Sequence, residues 1–132
     1  MADASSPQRV ILVVEDEPGI RDGLQMLLEL EGYDVVVASN GLQAFEVLAA
    51  KDCDLVITDQ MMPRMDGITF LGRLREQTRY RALPVIMISA VPRPPEAIGP
   101  LADAFIGKPF EAPRLLQTIQ RLLASGRTAP IA

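Results

Sequence analysis

Five residues of this chain stand where an apolar run gives out: Glu15 and Asp16 after VILVV, Asp59 after LVIT, Ser89 after VIMI and Lys108 after AFIG. Three carboxylates, a hydroxyl and an ammonium form a set with no imidazole, and the 132-residue sequence contains no histidine at all. That count excludes Ser-His-Asp and Cys-His nucleophiles together with every His-containing metal site. Carboxylates gathered at one place repel one another and stay ionised only beside a cation. Magnesium suits them, because it takes hard oxygen ligands and is commonly held by one or two carboxylates plus phosphate oxygens. A carboxylate is also a nucleophile that can form an aspartyl phosphate. The phosphoryl oxygens would then meet positive charge from the cation and from Lys108, and a hydrogen bond from Ser89. The chemistry implied is that of a magnesium and phosphate site.

These residues meet only if the elements that carry them run side by side. Residues 10–14 form a continuous β-branched and aliphatic run, as suits a strand buried on both faces. Pro18 then opens a helical pattern in which Ile20, Leu24, Leu27, Leu28 and Leu30 recur, and Gly32 closes it. Residues 33–38 read as a second strand. Asn40-Gly41 introduces a helix lined by Leu42, Phe45, Val47 and Leu48. A third strand over residues 53–58 runs into Asp59, and after QMMPRMDG a helix turns Ile68, Leu71 and Leu74 inward. Strands follow over residues 85–88 and 104–106, and a last helix places Leu115, Leu116, Ile119, Leu122 and Leu123 on one face.

Five strands alternating with helices predict an α/β fold with a five-stranded parallel sheet, doubly wound, since parallel neighbours need crossover connections. In such sheets ligands bind beyond the carboxyl ends of the strands, near the point where strand order reverses. One unit breaks the alternation. Pro92, Pro94, Pro95 and Pro100 fall between the fourth and fifth strands, and an interior proline costs a helix about 3 kcal/mol. A shortened, Pro-rich fourth-helix region is expected there.

Composition bounds the reading further. The length suits one domain; 48% apolar and 23% charged residues are ordinary for a folded soluble protein. A formal charge of -4 offers no basic surplus for a phosphate backbone, so direct nucleic-acid binding is not expected. No apolar stretch approaches a membrane span, and the first residues show no secretory leader, so neither membrane insertion nor export is expected. The single Cys53, in CDLVI, reads as a small buried residue and fits a reducing cytoplasm. Arg73, Arg75, Arg79 and Arg81 cluster late in the third helix and after it; they read as solvated charges near a helix C-terminus, or as a patch for an acidic partner. Residues 1–8 read as a flexible lead, 9–124 as the domain and 125–132 as a flexible tail.

The segments VVEDEP, TDQMMPRMDG, MISA and GKPF, in this order and at successive strand ends, resemble the CheY-like receiver domain of a two-component response regulator over residues 10–124. The resemblance implies that Asp59 is the phosphoacceptor and that Glu15 and Asp16 are its acidic metal pair, with Glu15 where Asp is commoner. It implies a backbone carbonyl of Met61 as a further magnesium ligand and Ser89 as the switch hydroxyl. Lys108 becomes the phosphate-binding lysine, Pro109 a proline joined through a cis bond, and Phe105 an aromatic whose rotamer follows phosphorylation. Met61 and Val91 occupy the positions that flank the phosphoryl group. Both are apolar, so slow self-dephosphorylation is expected.

The implied function is a phosphoacceptor switch, not an enzyme with turnover on a free substrate. Without a histidine, the chain must receive its phosphoryl group from a partner histidine kinase or histidine phosphotransfer protein, and then alter binding to a downstream protein. Two other readings stay open: an interaction module that works unphosphorylated, favoured by the Pro-rich segment, and an aspartyl-nucleophile phosphohydrolase of the haloacid dehalogenase type. The hydrolase usually needs a second carboxylate two positions after the nucleophile, where this chain has Met61.

Overall fold

The computed structural model describes residues 8–60, 65–90 and 101–125. The elements run β1 (Val10–Val14), α1 (Pro18–Leu30), β2 (Asp34–Ala38), α2 (Gly41–Ala50), β3 (Leu55–Asp59), α3 (Gly67–Glu76), a 3-10 turn (Thr78–Tyr80), β4 (Val85–Ser89), β5 (Ala104–Gly107) and α4 (Ala112–Ser125). All five strands are parallel, in the order β2-β1-β3-β4-β5. The order reverses between β1 and β3, which creates a crevice beyond their carboxyl ends. The expected doubly wound α/β sheet is therefore present.

Alternation along the strands feeds two cores. Leu12, Val14, Val56, Val85 and Met87 meet α2 and α3 through Ala44, Leu48, Phe70, Leu71 and Leu74. Ile11, Val13, Ile57, Ile86, Ile88 and Ile106 meet α1 and α4 through Leu24, Leu28, Leu115, Ile119 and Leu122. Both faces of the central strands are thus covered, which is why their sequences are unbroken apolar runs.

Local chemistry fixes where the helices begin. Glu17 caps α1, accepting from the Gly19 and Ile20 N–H groups, with Pro18 opening the first turn. Gly32, at φ +94, supplies the left-handed residue that ends the same unit. Asn40 caps α2 through the Gln43 N–H, and Asp66 caps α3 through the Thr69 N–H.

Several sequence expectations are corrected. Ile20, Leu30 and Leu42 are exposed, at 38%, 77% and 46%, while Ala44 and Phe70 fill core positions instead. Apolar spacing marks a helix but does not fix the edge of its buried stripe. The third strand begins at Leu55, leaving Cys53 half-buried before it. Arg75 is no solvated charge. Its side chain is 9% exposed and pairs at 3.3 Å with Asp103, itself 2% exposed. The segment over residues 91–100, with its four prolines and Val91, lies outside the described residues, as do Met61 and the two chain ends.

Candidate functional site

β1 and β3 deliver the acidic residues to the crevice. Glu15 follows β1 directly, and its main-chain N–H still bonds to the Ala38 carbonyl at 3.0 Å, as though extending the strand. Its carboxylate is buried at 2% exposure. The Glu17 N–H donates to Oε2 at 3.2 Å, and Arg21 reaches back from α1 to the Glu15 carbonyl at 3.1 Å. Asp59 ends β3 and is also buried, whereas Asp16 is exposed. Carboxylate oxygens of Glu15, Asp16 and Asp59 lie within 4.8 Å of one another.

β5 brings the countercharge. The Lys108 N–H bonds to the Ser89 carbonyl at 2.7 Å, and its Nζ stands 3.2 Å from both Glu15 Oε1 and Asp59 Oδ1. The peptide bond to Pro109 is cis, as the resemblance implied. Burial pushes the Glu15 carboxyl above the ordinary glutamate value, and the nearby Asp59 charge adds to this, against the Glu17 N–H and Lys108. Burial alone would lower Lys108; attraction to Asp59 and Glu15 outweighs it and holds the ammonium above the usual lysine range. One lysine therefore serves two carboxylates and leaves the cluster net negative.

The donor set fits a small, hard divalent cation. It is made of oxygen alone, it carries excess negative charge, and Lys108 engages a single oxygen of Glu15 and of Asp59. Ser89 is fully buried at the end of β4, and Phe105 is half-buried on the α2 and α3 side of β5. Each predicted strand-end residue within the described chain lies where the sheet places it, although Phe105 belongs to the core beside α3 more than to the acidic crevice.

Sequence reasoning missed the support beneath Asp59. A Cβ on Gly67 would come within 2.7 Å of the Asp59 carbonyl oxygen and 2.9 Å of Gln60 Cα. Only glycine lets α3 start against the end of β3, and the Gly67 N–H bonds to the Gln60 carbonyl at 2.8 Å. Met65 packs on Gly41 at the start of α2, where a Cβ would lie 2.8 Å from its sulfur. The signal was available in MDG: a packing methionine, a capping aspartate and a close-approach glycine in succession.

A parallel doubly wound sheet with an acidic crevice and a lysine at its switch point defines the class of this protein. A family model for the response regulator receiver domain matches residues 11–120, and the chain belongs to that family. Response regulator Rre1 of Synechocystis sp. is 39% identical over 118 residues, covering 86% of this chain and 51% of the relative. The chemotaxis protein CheY4 of Vibrio cholerae superposes with a TM-score of 0.82 at 30% identity, over 87% of this chain and 98% of that one. Response regulator TrrA of Thermotoga maritima, solved in complex with Mg(2+)-BeF, gives a TM-score of 0.80 at 32% identity, over 87% of this chain and 99% of that one. The chain spans about half the length of several curated relatives it matches. Among the described residues, no helix is long and apolar enough to cross a membrane.

Proposed function

We infer that the chain is a phosphoacceptor switch in which Asp59 takes a phosphoryl group from the phosphohistidine of a partner histidine kinase or histidine phosphotransfer protein. The observation that carries this reading is the bridge of Lys108 Nζ, 3.2 Å from both Glu15 and Asp59, in a cluster whose third member is Asp16. Glu15, Asp16 and Asp59 would hold magnesium, which when bound supplies positive charge to the phosphoryl oxygens. An Asp59 carboxylate oxygen attacks phosphorus; the P–O bond forms as the P–N bond breaks, and the departing imidazole nitrogen keeps the electron pair. Lys108 meets a phosphoryl oxygen with its ammonium. The Ser89 hydroxyl, at the neighbouring strand end, donates to another and couples the event to the Phe105 side of β5.

The test is incubation of the chain with a small phosphodonor and magnesium, followed by intact mass measurement. A single added phosphoryl group, absent in Asp59→Asn and without a divalent cation, is the expected result. No adduct from any donor or histidine kinase would point to the unphosphorylated module, and turnover of a free phosphate ester to the hydrolase.

A further inference from the structure

Lys108 reaches the acidic crevice from a strand with little to hold its place. β5 is the last strand in the sheet order and buries only Ile106 of its four residues, whereas every residue of β3 and of β4 is buried. Apolar patterning specifies register strongly only where a face is well buried. A slip of one residue would carry Lys108 about 3.3 Å along the sheet and turn Phe105 away from the α3 side. The 3.2 Å contacts of Nζ with Glu15 and Asp59 would then be lost.

The residues at the base of β5 supply the missing constraint. Asp103, directly before the strand, holds both main-chain groups of Val85 at the start of β4: its N–H donates to the Val85 carbonyl at 2.8 Å, and its Oδ2 accepts the Val85 N–H at 2.9 Å. The same oxygen takes Arg75 Nη2 at 3.3 Å, and Arg75 Nε donates to the Leu101 carbonyl at 2.9 Å. Arg75 Nη1 donates to the Tyr80 and Leu83 carbonyls at 2.8 and 2.7 Å, which ties the entry to β5 to the end of α3 and the entry to β4. In a slipped register Asp103 would leave both Val85 and the guanidinium, stranding two buried charges. α3 itself starts on the Gln60 carbonyl through the Gly67 N–H. One helix therefore spans from the Asp59 end of β3 to the base of the strand that delivers Lys108.

We propose that Arg75 and Asp103 are positioning residues of the phosphoryl site: they lock the register of β5 and so set Lys108 against Glu15 and Asp59. This rests on the phosphoacceptor reading above for the part that Lys108 plays. The carboxylates that would hold magnesium follow β1 or end β3, which the lock does not touch. The pair therefore acts on the grip on the phosphoryl group and not on the grip on the cation.

The experiment measures binding of magnesium alone, and of beryllofluoride with magnesium as the phosphoryl mimic, by calorimetry on the full chain at a temperature where each variant is folded by circular dichroism. Arg75→Met with Asp103→Leu, a pair that strands no charge, is expected to bind the mimic about ten-fold more weakly, the equivalent of one charge-assisted hydrogen bond. Its magnesium affinity should not fall. The Lys108 amide, which donates to the Ser89 carbonyl, should lose protection from hydrogen exchange. In a Lys108→Ala background the same pair should cause no further loss, because the lock acts through that ammonium. Should the pair fail to fold, Arg75→Lys takes its place in the cycle: it keeps a cation opposite Asp103 but gives up carbonyl bonds, and its smaller loss should likewise vanish without Lys108. Unchanged mimic affinity in a folded variant, or an equal loss with and without Lys108, would overturn the proposal and leave the pair a matter of stability alone. A parent chain that binds no beryllofluoride refutes the phosphoacceptor reading instead; the lock is then judged on the Lys108 amide, whose protection, if retained in the variant, overturns it.

Discussion

Replacing Arg75 by methionine removes one of the few charged groups inside the described fold. The guanidinium donates to the Leu101, Tyr80 and Leu83 carbonyls at 2.9, 2.8 and 2.7 Å and to Asp103 Oδ2 at 3.3 Å. Asp103 Oδ2 also accepts the Val85 N–H at 2.9 Å. The end of α3, the 3-10 turn and the starts of β4 and β5 are thus tied to one cation. With Arg75 9% exposed and Asp103 2% exposed, the variant leaves a carboxylate and main-chain carbonyls desolvated. Breaking a buried pair from one side costs about 3–5 kcal/mol, a large part of the roughly 5–15 kcal/mol that holds a domain together. Urea unfolding followed by circular dichroism should show a loss of that size. The double variant Arg75→Met with Asp103→Leu should be less destabilised than the two single losses combined, because no charge is stranded. A loss below about 1 kcal/mol in Arg75→Met would refute the reasoning, since an exposed pair is worth no more than that.

Gly67→Ala should destabilise by about 1–3 kcal/mol and slow phosphorylation, because its Cβ would strike the Asp59 and Gln60 main chain. Gly23→Ala, whose Cβ meets nothing within 4 Å, should instead gain about 0.5–1 kcal/mol; comparing their urea midpoints checks both. Burial, then the Asp54 carboxylate, pushes the Cys53 thiol from 9.0 up to about 11. Below the lower value its contribution to stability is complete, and it is lost as pH rises through about 11. Alkylation of the folded chain should accordingly show its midpoint near about 11, against the ordinary value in the unfolded chain. Adding magnesium to chelator-treated protein should raise the unfolding temperature; Asp59→Asn and Glu15→Gln should diminish the rise, and an equal rise in both would remove the cluster from consideration.

The sheet was readable because each central strand is an uninterrupted apolar run, and because Pro18, Gly32 and Asn40-Gly41 mark real helix boundaries. The site was readable for the same reason. In a parallel doubly wound sheet, the residue after each such run lies at one edge, so Glu15, Asp59 and Lys108 meet although up to 93 residues separate them. What escaped depends on distance and on shape. Arg75 and Asp103 are 28 residues apart, and neither carries a local mark of burial. Ile20, Leu30 and Leu42 have helical spacing yet face outward, because the angular width of the buried stripe is set by the neighbouring sheet. Gln60 reads as an ordinary polar residue after a strand. Only the folded chain reveals that its oxygen is enclosed.

The central claim is that Asp59, among three neighbouring carboxylates, accepts the phosphoryl group. Borohydride trapping tests it most directly, since hydride reduces an acyl phosphate to the corresponding alcohol and marks the modified residue in a peptide map. After treatment with a phosphodonor and magnesium, the reduced residue should be found at Asp59 and nowhere else. Reduction at Asp16 or Glu15, or an unmodified Asp59 in protein that had gained phosphoryl mass, would contradict the account.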